Sequence, residues 1–214
     1  MSSRDYHVKE LNIAQNPDDP RHVMPIIGPD HWRILDVGCG AGQTLIASNL
    51  NPDVVATGID IDFEALALGR ELSAAVAFVA GEAEKLPFAD ASFDLVLARV
   101  VLPLTHIPHT IGEISRVVGP GGDIWLVLHP ISRTLQNLWD SLRQHRLKNA
   151  IYRLYVLANG LLFEATGQLF PFPLNGHYES FQTCSSITRQ LQQAGFGNIE
   201  IDQTDHFVVT ATKL

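Results

Sequence analysis

From about residue 33 onward, short runs of β-branched and other apolar residues alternate with longer stretches whose apolar positions recur at helical spacing. Strands that alternate with helices join as a parallel sheet, because each connection between parallel neighbours is a crossover long enough to hold a helix. Strands are predicted at residues 34–37, 54–59, 76–79, 95–98, 124–128, 199–202 and 207–212. Helices are predicted at 43–50, ended by Asn51-Pro52; at 63–72, with Asp62 as N-cap; at 107–118, ended by Gly119-Pro120; and at 186–193, ended by Gly195. Residues 203–206 alone separate the last two strands, too few for a crossover, so that pair closes as a hairpin. The expected architecture is a doubly wound α/β sheet of seven strands, mostly parallel, with a C-terminal antiparallel hairpin and helices on both faces.

A chain of 214 residues suits one domain with a sizeable core. Two segments lie outside the alternating frame and are expected to cover a site. Residues 1–30, rich in Pro and Asp, read as an N-terminal lid segment. Residues 131–180 read as a helical insertion, with Leu135, Leu138 and Leu142, then Ile151, Leu154, Tyr155, Leu157 and Leu161, at the spacing of two helices before a loop at Phe170-Pro171-Phe172-Pro173. Apolar residues at 46% and charged residues at 18% are those of a globular protein. A net charge of −8 repels polyphosphate and argues against a nucleic-acid partner. Cys39 and Cys184 make no secreted disulfide framework, and the charged start of the chain lacks the apolar stretch of a signal peptide. The segment 151–163 is interrupted by Arg153, Asn159 and Gly160 and closed by Glu164, so no membrane-spanning helix is expected. A cytoplasmic setting fits these features; the oligomeric state is left open.

The first strand runs into Asp36-Val37-Gly38-Cys39-Gly40-Ala41-Gly42-Gln43, where closely spaced glycines allow a sharp turn and the close approach of a ligand. A dinucleotide site has the spacing G-x-G-x-x-G, and here Gln43 stands where its third glycine would be. The second strand ends at Asp60, a carboxylate at the carboxyl edge beside that loop, able to accept from both hydroxyls of a ribose. Its other reading is a helix cap, for which Asp62 is better placed.

After the third strand come Ala80-Gly81-Glu82-Ala83-Glu84-Lys85-Leu86-Pro87-Phe88-Ala89-Asp90-Ala91-Ser92-Phe93-Asp94, and later Glu113-Ile114-Ser115-Arg116-Val117-Val118-Gly119-Pro120-Gly121-Gly122. With the glycine loop and Asp60, these closely resemble the class I S-adenosylmethionine-dependent methyltransferases, in the broad branch that includes quinone methyltransferases. The resemblance spans about residues 33–129 and implies a Rossmann-like fold that binds S-adenosylmethionine and releases S-adenosylhomocysteine. It implies a cofactor site in which Asp36, Gly38, Cys39, Gly40, Gly42 and Gln43 form the loop that passes the methionine moiety. Asp60 would hold the ribose, Ile61 would pack on the adenine face, and Glu82 with the backbone N–H of Ala83 would meet the base edge. Arg99 matches the position that approaches the methionine end, with a surface ion pair as its alternative. Many relatives have a Glu-His pair and a longer segment after the fourth strand, where this chain has Val101-Leu102-Pro103-Leu104-Thr105-His106-Ile107-Pro108. His106 is therefore assigned no role beyond an exposed helix start.

Methyl transfer from a sulfonium is an in-line displacement that needs alignment and exclusion of water, and no metal. An acceptor that must lose a proton needs a base within hydrogen-bond reach. His129, at the carboxyl edge after the fifth strand, is the first candidate, with a turn residue as its other reading; Tyr178, in the loop with His177 and Glu179, is the second. Tyr6 and His7 reach the site if the N-terminal segment folds over it. Residues 132–153 carry Arg133, Arg143, Arg146, Lys148 and Arg153 against Asp140 alone. That run is either a solvated helix face or, with Trp139, a weak contact to an anionic membrane surface. The expected partner is a small-molecule acceptor. Two rivals share the sequence features: a protein that binds S-adenosylmethionine without catalysis, and an NAD- or FAD-dependent oxidoreductase, which would want the third glycine.

Overall fold

The computed structural model describes residues 2–214. The sheet strands are β1 (Arg33–Val37), β2 (Val55–Asp60), β3 (Val76–Ala80), β4 (Phe93–Arg99), β5 (Val118–Leu128), β6 (Phe196–Asp202) and β7 (Phe207–Lys213), in the spatial order β3-β2-β1-β4-β5-β7-β6. All neighbours pair in parallel except β7, which runs antiparallel to both β5 and β6. The expected mostly parallel seven-stranded sheet with a closing hairpin is the sheet that forms.

Strand periodicity divides the core in two. Leu35, Val96, Ala98, Ile124, Leu126 and Leu128 point to one face, and Ile34, Leu95, Leu97, Trp125 and Val127 to the other. The first face is covered by α4 (Ile107–Val117) through Ile107, Ile111 and Ile114 and by α7 (Cys184–Gln193) through Ile187 and Leu191. The second is covered through Leu45 of α2 (Gln43–Ala47) and Leu66 of α3 (Phe63–Leu72). Asp62 caps α3 by accepting from the N–H groups of Glu64 and Ala65.

Element ends differ from the sequence expectation where local chemistry overrides periodicity. α2 stops at Ala47 because Asn49 turns left-handed at φ 46°. β5 starts at Val118, directly where α4 ends, and pairs with β4 across a bulge between Phe93 and Leu95 that Gly121 accommodates at φ 76°. α7 starts two residues early because Thr183 and Ser186 form a capping box.

The insertion forms two helices, α5 (Ile131–Arg143) and α6 (Leu147–Thr166), packed on each other. The N-terminal segment, read from the sequence as a lid with no element assigned to it, contains α1 (Ser3–Gln15), which lies against α2 and α3. Only His7, Ile13 and Ala14 of α1 are buried. Polar contacts hold it instead: Ser3 donates to Asp62 at 3.1 Å, Gln43 Nε2 to Nδ1 of His7 at 2.8 Å, and Arg99 to Glu10 at 3.3 Å.

Candidate functional site

Strand order reverses between β1 and β4, and in open α/β sheets the crevice outside the carboxyl ends at such a switch point is where ligands sit. A cavity of about 950 Å³ opens there, a volume that accommodates a nucleoside-sized molecule with a second small one. Asp36 and Val37 from β1, Asp60 from β2, Arg99 from β4 and Leu128 from β5 all reach it, as do Tyr6, His7 and Glu10 from α1.

The glycine loop bends under the cavity. Gly40 has φ 55°, and a Cβ there would lie 2.8 Å from the His7 ring; only glycine lets α1 approach. Gly42 has φ 79° as N-cap of α2, and its Cβ would lie 2.8 Å from Phe78. Of the residues singled out from the sequence, Asp36, Gly38, Cys39, Gly40 and Gln43 line the cavity, and Gly42, turned toward Phe78, does not. Gln43 is buried and engaged with His7. Burial raises the Cys39 thiol far above its ordinary range, so it stays protonated.

Asp60 is fixed by two backbone donors: Gly40 N–H reaches one oxygen at 2.7 Å and Asp62 N–H the other at 2.9 Å. Each oxygen keeps a lone pair for a further donor. Ile61, beside it, is 68% exposed and lines the cavity with an apolar side chain. Glu82 and Ala83 form the adjoining wall.

That wall is braced from α4. Glu113 accepts from Leu86 N–H at 2.8 Å and pairs with Arg116 at 2.7 Å; Arg116 in turn donates to the carbonyls of Leu86 and Phe88 and to the carboxylate of Asp90. Glu84 accepts from His106 N–H at 3.0 Å and ties the same loop to the start of α4. His106 is half-buried rather than exposed: it caps α4, and its ring lies 5.2 Å from that of Tyr178.

Charge is concentrated on the floor. Asp36 is 2% exposed, and its burial, opposed by Arg99 and assisted by Asp60, pushes its carboxyl up to about 7. Arg99 lies beside it and pairs with Glu10, so its ion pair is made inside the cavity rim.

His129 and Tyr178 both line the same cavity. Burial, with Arg133 nearby, lowers the His129 imidazole to about 4, leaving it neutral at ordinary pH, and its Nε2 is buried with no hydrogen-bond partner. The backbone of His129 is pinned, its carbonyl accepting from Gln182 N–H at 2.9 Å. The loop bearing Tyr178 is held from α6, where Tyr152 and Arg153 donate to Glu179 at 2.7 and 2.6 Å, and Asn159 donates to the Glu179 carbonyl at 3.0 Å.

Glu10, Thr105 and Arg133 also line the cavity and were not singled out as binding residues. Glu10 and Arg133 belong to the two segments expected to cover a site, but no local pattern says which of their polar residues turn toward it. Glu84 had a signal, since it lies within the segment 81–94 quoted above.

A family model described as a methyltransferase domain matches residues 35–126. The demethylmenaquinone methyltransferase of Symbiobacterium thermophilum is 34% identical over 144 residues, 56% of this chain and 57% of that protein, so the chain spans little more than half of this relative. That of Chlorobaculum parvum is 30% identical over 169 residues, 78% of this chain and 67% of that protein. The crystal structure of an S-adenosylmethionine-dependent methyltransferase from Methanosarcina mazei aligns with a TM-score of 0.55 at 25% identity, covering 88% of this chain and 94% of that one.

Proposed function

The chain belongs to the class I S-adenosylmethionine-dependent methyltransferases, and we propose that its cavity binds S-adenosylmethionine and passes the methyl group to a small-molecule acceptor. The observation that carries the proposal is the convergence, on one cavity at the switch point, of a glycine loop, Asp60 with its free lone pairs, exposed Ile61, and a neutral His129 with an unpartnered Nε2.

The residues present fit that donor. Asp60 accepts from the ribose hydroxyls, Ile61 covers one face of the adenine, and Glu82 with the Ala83 N–H reads its edge. The loop of Asp36, Gly38, Cys39, Gly40 and Gln43 passes the methionine end, with Gly42 setting its turn, and Arg99 offers a cation to the carboxylate. When bound, S-adenosylmethionine supplies a methyl group on a sulfonium that departs as a neutral thioether. The chain therefore has no leaving-group charge to stabilise and acts by orienting the acceptor and excluding water. α1 covers the donor side as a lid, and α5 and the loop of Tyr178, which α6 holds, cover the acceptor side of a single domain.

The imidazole of His129, a residue lining the cavity, receives the hydrogen bond of the acceptor's O–H, N–H or acidic C–H. An imidazole lowered to about 4 is a weak base, which suits an acceptor whose proton becomes acidic as the new bond forms. Tyr178 lines the acceptor side with it.

Calorimetry tests the donor: S-adenosylhomocysteine is expected to bind and NADH not to, and the reverse result removes the proposal. Incubation with methyl-labelled donor and metabolite extracts, followed by mass spectrometry, tests the transfer. Binding without label in any product would leave a cofactor-binding protein and sink the catalytic part.

A further inference from the structure

α5 is folded the wrong way round for a helix of a water-soluble surface. It buries two small polar side chains, Thr134 at 5% exposure and Ser141 at 8%, while its apolar stripe of Ile131, Leu135, Trp139 and Leu142 stands 40–61% exposed. These four recur at helical spacing on one side, so the exposure belongs to a face and not to scattered residues. α6 continues the pattern. Tyr155, Val156 and Phe163 face the protein, yet the opposite side carries Leu147, Ile151, Leu154 and Leu161, each more than half exposed. Apolar area of this kind, repeated on two helices that pack on each other, marks an interaction surface.

The charge around it identifies what it meets. Arg143 closes α5, Arg146 is the N-cap of α6 and Lys148 lies in its first turn; all three are exposed and make no ion pair among the described residues. They belong to a chain of net charge −8, so this hairpin reverses the sign of its own molecule. Basic side chains beside exposed Leu, Ile and Trp are the composition of a helix that lies in a lipid headgroup region, with Trp at the polar–apolar boundary. No helix among the described residues is long and apolar enough to cross a membrane, so the hairpin would lie on the bilayer.

We propose that the α5–α6 hairpin is a docking surface for an anionic lipid bilayer. α5 begins at the residue after Pro130, and both His129 and Arg133 line the cavity, so docking sets the cavity mouth beside the membrane surface. The docking itself does not depend on the reaction performed in the cavity.

Flotation of the full chain with vesicles tests it. Binding is expected to phosphatidylcholine vesicles containing phosphatidylglycerol at low salt, with release at high salt and little binding to phosphatidylcholine alone. A juxtaposed basic residue contributes roughly a fivefold factor to partitioning, so Arg143→Glu, Arg146→Glu and Lys148→Glu together should lower it by about a hundredfold or more. Trp139→Ser should weaken it separately, through the apolar face. Absence of flotation at low salt overturns the proposal, as does a triple variant that floats like the parent. A homodimer in sedimentation that Trp139→Ser dissolves, with no vesicle binding, would assign the stripe to a second copy of the chain and likewise overturn it. Affinity for S-adenosylhomocysteine, measured on the same samples, reports on the donor proposal alone, so the two fail independently.

Discussion

Asp60 does two jobs with one carboxylate. Its oxygens anchor the N–H groups of Gly40 and Asp62, which fixes the loop and the start of α3, and their outer lone pairs face the cavity. Asp60→Ala is expected to weaken S-adenosylhomocysteine at least about tenfold, as for loss of a charge-assisted hydrogen bond worth roughly 1.5 to 3 kcal/mol. Unchanged affinity by calorimetry would remove Asp60 from the site. This residue was legible because an acid ending the second strand, beside a glycine loop, has a place fixed by topology alone. Glu10 was not, since its approach to Arg99 follows from how a helix far away in sequence comes to rest.

At the scale of elements, the pair of Glu113 and Arg116 braces the loop that presents Glu82 and Ala83. Arg116 bonds two carbonyls and two carboxylates there, and no other cation reaches residues 81–92 among the described hydrogen bonds. Arg116→Ala should therefore lower stability by about 1 to 3 kcal/mol and raise hydrogen exchange across residues 81–94, while exchange in β5 and β7 stays slow. Uniform exchange changes would refute a local brace. The sequence displayed this brace as a motif without displaying what it holds. α1 was illegible for a different reason: with His7, Ile13 and Ala14 its only buried residues, it offers no apolar stripe, and its partners are polar groups on other helices. The central strands were legible, since β1 and β4 are buried on both faces and leave few alternatives, whereas the early start of β5 at Val118, in a segment read as a helix end, was not.

The whole molecule carries two buried titrations of opposite sign. His129, lowered from 6.5 to about 4, is neutral in the fold, so the unfolded chain binds more protons between those values and stability falls as pH drops through them. Asp36, raised from 3.8 to about 7, stays protonated in the fold, so stability falls as pH rises through that window. Relative to the parent, His129→Gln should gain stability as pH drops below about 6.5, and Asp36→Asn should gain as pH rises toward about 7. Urea midpoints across this range measure both, and difference curves without slope would discard the assignment.

Tyr6, His7 and Glu10 make one wall of the cavity out of a helix attached to the rest of the fold mainly by polar contacts. We propose that this wall opens as a hinged door with a weak latch. Glu10→Ala unfastens the latch at Arg99, so stopped-flow displacement of bound S-adenosylhomocysteine should quicken several-fold. An unaltered escape rate would mean that nucleosides come and go by another exit.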